Sequence, residues 1–161
     1  MKRLCGAIVL STVVTVVSPV LPQNAPSHDP SAHAMFQKFQ DLKWDKTNLE
    51  MGSNSPEITI VHVNPATQAT ELLIRTPKNF HVPRHWHTAN ETIIVIRGTF
   101  IMEHDGSGNR VELDAGSFAY MPAKMIHQAW TKPDEDALYF IAVDGKWDVN
   151  WVEGPPKSPT N

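Results

Sequence analysis

From residue 44 to residue 152 the chain is a string of short β-branched and aromatic runs, each cut by Pro, Gly, Asn or Asp. Residues 58–63, 69–75, 80–87, 91–97, 99–104, 110–113, 117–121, 126–131 and 137–143 have strand composition, and 149–152 is a further short candidate. Asn64-Pro65-Ala66-Thr67, Thr76-Pro77-Lys78-Asn79 and Asp105-Gly106-Ser107-Gly108 supply turn chemistry between them. About nine short strands at this spacing imply an all-β sandwich or barrel. The run 91–96 is apolar on both faces. One face would line the interior and the other would cover a second sheet or another subunit, which makes a homodimer an expectation.

Ahead of this region, Lys2 and Arg3 precede an apolar stretch of fourteen residues, Leu4 to Val17, broken by Ser18-Pro19. The stretch is too short for a comfortable membrane span, and residues 1–25 read as an export signal, with an uncleaved anchor the alternative. The expected location is periplasmic or extracellular. Residues 26–43 read as a linker and N-terminal arm. Within it Met35, Phe36, Phe39 and Leu42 have near-helical spacing and predict a short helix or a packed tail. The globular domain is expected over 44–152, followed by a loose Pro-rich tail at 153–161. Cys5, the one cysteine, lies in the signal, so the exported domain has neither disulfide nor thiolate. Without Lys2 and Arg3 the 14 basic residues become 12 against 17 acidic, a net charge of −5. That balance, with no basic run, makes the chain a poor candidate for nucleic-acid binding, and no nucleic-acid partner is expected. After signal removal no membrane partner is expected.

The chemistry concentrates in Pro83-Arg84-His85-Trp86-His87-Thr88-Ala89-Asn90-Glu91. Histidines at i and i+2 share one face of an extended strand. A second strand turning back beside the first would bring Glu91 near both. His127, far downstream behind Gly116 and Pro122, would add a third imidazole from an opposing strand. Three imidazoles and a carboxylate make a divalent-metal set. His81 has the parity of His85 and His87, which makes it either a base or proton relay in the same interior or a rim histidine in water. Tyr120 alternates with Ala119 and Met121, so one of the two faces of that strand meets the cavity. His62 either lines the barrel or is a satisfied core histidine, and Lys124 either holds an acidic group or is a solvated loop residue. No Gly-x-Ser-x-Gly elbow, P-loop or dinucleotide fingerprint occurs.

These residues resemble the cupin superfamily. Its first motif (Gly, five residues, His, one, His, three or four, Glu, six, Gly) is matched by His85, His87, Glu91 and Gly98, with Asn79 in place of the leading Gly. Its second motif is matched by Gly116, Pro122 and His127, with Lys124 where a Gly is usual and Thr131 where an Asn is usual. Seventeen residues separate the two, as in small single-domain bacterial cupins. The resemblance implies an RmlC-like double-stranded β-helix, or jelly-roll barrel, and His85, His87, Glu91 and His127 as ligands of one divalent transition metal. Mn or Fe is favoured on family grounds, and Ni, Co, Cu and Zn also suit the donor set. The implied function is a metal-dependent enzyme on a small organic substrate, dioxygenase-like or a Lewis-acid lyase or isomerase, with His81 or Tyr120 moving a proton. A non-enzymatic binding module with a structural metal is the alternative reading.

Overall fold

The computed structural model describes residues 33–104 and 106–157. The export signal and the first part of the linker lie outside the described residues. The chain divides into two compact units, Met1–Phe36 and Gln37–Asn161. Among its described residues the second unit carries eleven strands: β1 (Asp45–Lys46), β2 (Glu57–Val63), β3 (Thr70–Thr76), β4 (His81–Trp86), β5 (Glu91–Arg97), β6 (Phe100–His104), β7 (Val111–Leu113), β8 (Phe118–Met121), β9 (His127–Thr131), β10 (Ala137–Val143) and β11 (Asn150–Trp151). The only helical pieces among the described residues are 3-10 turns, Phe39–Asp41 and Leu49–Asn54. The helix expected in the N-terminal arm is therefore a single turn. Its apolar residues Met35, Phe36 and Phe39 are exposed, so no buried face sustains an α-helix there.

Two antiparallel sheets form the jelly roll. One has the order β1-β2-β3-β10-β5-β8 and the other β11-β4-β9-β6-β7. The β3–β10–β5 centre of the larger sheet is the most apolar region, and its inward residues Leu72, Ile74, Ile93, Val95, Tyr139 and Ile141 meet Phe100, Met102 and Ala129 from the smaller sheet. Phe100 stacks on Tyr139 with ring centroids 4.4 Å apart. Leu72 and Val95 are almost wholly buried, and each such side chain contributes about 1.5–3 kcal/mol by leaving water.

Four backbone features connect sequence to shape. Asn79 and Lys124, the two substitutions at motif glycine positions, have φ of 53° and 65°. Both therefore hold the left-handed conformation that glycine adopts without strain. Gly98 has φ +75°, and a Cβ there would lie 2.1 Å from the Asp136 carbonyl oxygen, so only glycine fits between β5 and β6. Thr131, at the motif's usual Asn position, accepts from the Phe80 N–H at 2.9 Å and donates to the Pro77 carbonyl at 2.6 Å. The threonine thus ties the turn before β4 to β9. The fourth feature is a bulge in β4. The register against β9 shifts between Val82 and His85, around Pro83, which has no N–H for the ladder.

Candidate metal centre

The bulge decides what β4 offers the interior. Val82 and His85 both line the cavity although they are three residues apart, because the extra residue reverses the alternation. His87 follows inward two residues later. His127 enters from β9, where it lies directly opposite His85 in the ladder. Glu91 is the first residue of β5, which belongs to the other sheet. The expected placement is thereby reversed: His127 comes from the adjacent strand, and Glu91 faces the imidazoles from across the barrel. The cause is the Thr88–Asn90 crossing, which carries the chain from one sheet to the other.

Among the described residues, the ligand atoms of His85, His87 and His127 lie within 4.8 Å of one another. Glu91 Oε1 is 3.5 Å from His87 Nε2, and Glu91 Oε2 is 3.6 Å from His127 Nε2. The far nitrogen of each ring meets a backbone carbonyl. His85 Nδ1 is 2.7 Å from the Pro83 oxygen, His87 Nδ1 is 2.5 Å from that of Asp148, and His127 Nδ1 is 3.0 Å from that of Met125. A carbonyl only accepts, so each Nδ1 carries the proton and donates it. Each Nε2 is then left as a bare lone pair aimed at the centre.

Electrostatics keeps the rings in that state. Burial, followed by the neighbouring His127, lowers the His85 pKa to about 3. Burial lowers His127 to about 4 and also lowers His87. Burial raises Glu91 to about 8. His87 Nε2 and Glu91 Oε2 are buried and have no hydrogen-bond partner. Orphaned buried acceptors cost about 1–3 kcal/mol each, and a divalent cation satisfies all of them together. The donor set therefore fits the metal.

The surroundings hold the site rigid. Asp148 also accepts from the Thr88 N–H at 2.9 Å and from its hydroxyl, and the Asn90 side-chain oxygen accepts from the Ala123 N–H at 2.9 Å. Trp147 stacks on His87 with centroids 4.8 Å apart, and Trp151 leans on His85 at 5.2 Å. The four residues open onto a cavity of about 830 Å³ lined mostly by apolar side chains. Residues 47–50 and Pro155 and Pro156 complete its lining, and Asn48 Nδ2 donates to the Pro156 carbonyl at 3.2 Å. The first residues of the expected loose tail are thus docked at the cavity, because this bond and the Arg84–Glu153 pair at 3.7 Å hold them.

Other expected residues fall elsewhere. His81 is exposed on the outer surface, stacked on Trp130 at 4.9 Å and within 3.1 Å of Gln128 Oε1. The bulge at Pro83 breaks the parity that would have turned it inward. Tyr120 is 54% exposed on the outer face of β8, while Ala119 and Met121 pack against the core. Neither His81 nor Tyr120 reaches the cavity. His62 is exposed 3.9 Å from Glu71. Trp130 points outward under Arg110, whose guanidinium carbon sits 3.8 Å from the ring centre. Trp147, Trp151 and Tyr139 stand at the cavity outside the two cupin motifs. The two tryptophans lie in a short C-terminal strand and its approach, where composition alone carries no direction.

A family model described as the ChrR Cupin-like domain matches residues 32–145. The chain belongs to this cupin family. A DNA damage-repair/toleration protein of Arabidopsis thaliana is 30% identical to the cupin over 80 residues, which are 50% of this chain and 25% of that protein. The chain therefore spans about a quarter of the length of that curated relative. Among solved structures, a proposed acetylacetone dioxygenase of Methylibium petroleiphilum superposes with a TM-score of 0.63 at 12% identity, over 81% of this chain and 91% of its own. The polyketide cyclase RemF of Streptomyces resistomycificus gives 0.62 at 18% identity, over 79% and 90%. At these identities the likeness shows the fold.

Proposed function

We propose that this cupin is a metal-dependent enzyme acting on a small, largely apolar organic molecule, with dioxygenase-like oxidation the leading reaction and a Lewis-acid lyase or isomerase the second. The observation that carries the reading is that all four ligand residues are also cavity wall. Four protein donors leave positions of an octahedral ion facing the cavity, and a site kept only for structure closes its coordination with protein. A bound ion supplies Lewis acidity and open positions for substrate and dioxygen.

The chain's own residues do the rest. The three carbonyl-fixed imidazoles hold the donor geometry without competing protons. The apolar walls exclude water and orient the substrate body. Trp147 and Trp151 brace His87 and His85. Export and a homodimer through the exposed outer face bearing Ile94, Ile96 and Phe118 belong to the same proposal.

The test is dioxygen uptake by protein loaded with Fe(II) or Mn(II), on a panel of catechols and 1,3-dicarbonyls. The expected result is uptake by the wild type and none by His85→Ala. A loaded protein that leaves every compound unchanged, with or without dioxygen, would refute enzymatic function and leave the non-enzymatic binding module.

A further inference from the structure

The cavity's charge pattern selects its ligand, and this inference rests on the metal reading above. Three neutral imidazoles and one carboxylate around a divalent ion leave a single net positive charge. Among the described residues, the lining contains no lysine and no arginine. Its walls are Ile58, Val82, Ile93, Phe100, Met102 and Trp147 with similar neighbours. The one hydroxyl deep in the wall, that of Tyr139, is 2.6 Å from Thr76 Oγ1 and already engaged. The remaining polar lining, Thr47, Asn48 and Glu50, lies beside Leu49, which is 81% exposed. This is the exposed part of the lining, where the cavity meets solvent.

A net charge sealed among apolar side chains is unfavourable unless a counter-charge joins it. One anionic oxygen donor on the ligand balances the ion and Glu91 together. A second anionic group would have to be buried with no cation in the lining to receive it. We propose that the cavity binds organic monoanions, an apolar body carrying a single carboxylate or enolate that reaches the ion, and rejects dicarboxylates and phosphates. The volume of about 830 Å³ lies within the usual range for a small-molecule site, so one aromatic or branched aliphatic body fits.

Benzoate and phthalate test this as a matched pair, since phthalate has the same ring with one more carboxylate. In water phthalate, a chelator, binds divalent ions more tightly than benzoate does. Full-length protein loaded with Co(II) is titrated with each while the visible absorption of the ion is recorded. The expected result is benzoate binding at least tenfold more tightly than phthalate, with inorganic phosphate causing no spectral change. Leu49→Arg, which brings a cation to the exposed rim, is expected to narrow the benzoate–phthalate ratio at least threefold. Phthalate or phosphate binding as tightly as benzoate would overturn the inference and leave the metal site standing. An unchanged ratio in Leu49→Arg would overturn its electrostatic basis. Failure of the wild type to retain Co(II) would instead overturn the metal reading beneath it.

Discussion

Raising the pH from about 6 to about 8 should tighten divalent-metal binding about 50-fold, through one proton. In the metal-free protein burial raises the Glu91 pKa to about 8, so its carboxyl holds a proton at pH 6. His85 and His127, lowered to about 3 and about 4, are already neutral there, and burial lowers His87 in the same direction. Binding therefore expels one proton rather than several. Well below 8 each pH unit costs about 1.4 kcal/mol, or tenfold in apparent affinity, and the dependence flattens as the pH reaches 8 and passes it. Mn(II) is a suitable probe, because the resonance signal of the free ion reports binding directly. Calorimetry in two buffers of different ionisation enthalpy counts the proton. Glu91→Gln should abolish the slope and weaken binding at pH 8. A slope of two or more would show that the imidazoles are protonated in the folded protein, refuting the dry site. A slope of zero in the wild type, with affinity untouched by Glu91→Gln, would remove Glu91 from the ligand set.

The same shifts predict a stability optimum for the metal-free protein. The lowered histidine pKa values give stability that is complete above about 6.5 and lost as pH falls towards 3, while the raised Glu91 pKa gives stability present below about 4.5 and lost as pH rises to about 8. His85 and His127 oppose Glu91 between about 4.5 and 6.5, and His87 acts in their direction, so urea-melt stability should rise there, peak near pH 6.5–7 and then fall by about 1.4 kcal/mol per unit. Added metal should remove the fall. Gly98→Ala should destabilise by at least about 2 kcal/mol in the same assay, because its Cβ would meet the Asp136 carbonyl at 2.1 Å. Lys124→Gly should stabilise by about 0.5 kcal/mol, since relief of the left-handed strain at φ 65° exceeds the added unfolded-state entropy. A loss of stability in that variant would mean that the lysine side chain contributes contacts that outweigh the strain.

Much of this cupin was legible before folding. Strand positions such as 58–63, 91–97 and 137–143 follow from β-branched composition, and the structure has strands at Glu57–Val63, Glu91–Arg97 and Ala137–Val143. The all-β class follows from them. The left-handed turns at Asn79 and Lys124 stand where the motif has glycine, because a local backbone demand leaves a local mark. The spacing of His85, His87, Glu91 and His127 named the residues that the fold brings together.

Direction and partnership came only from the tertiary structure. The parity that placed His81 beside His85 holds only for an unbroken strand, and the bulge at Pro83 inserts one residue and turns His81 outward. Tyr120 faces solvent because β8 pairs with β5 so that Ala119 and Met121 meet the core. Glu91 reaches the imidazoles from the opposite sheet, and Trp147, Trp151, Pro155 and Pro156 complete the cavity from a segment that reads as chain end and tail. Strand propensity is a property of neighbouring residues. Which face is inward depends on register against strands distant in sequence, and a single inserted residue reverses it.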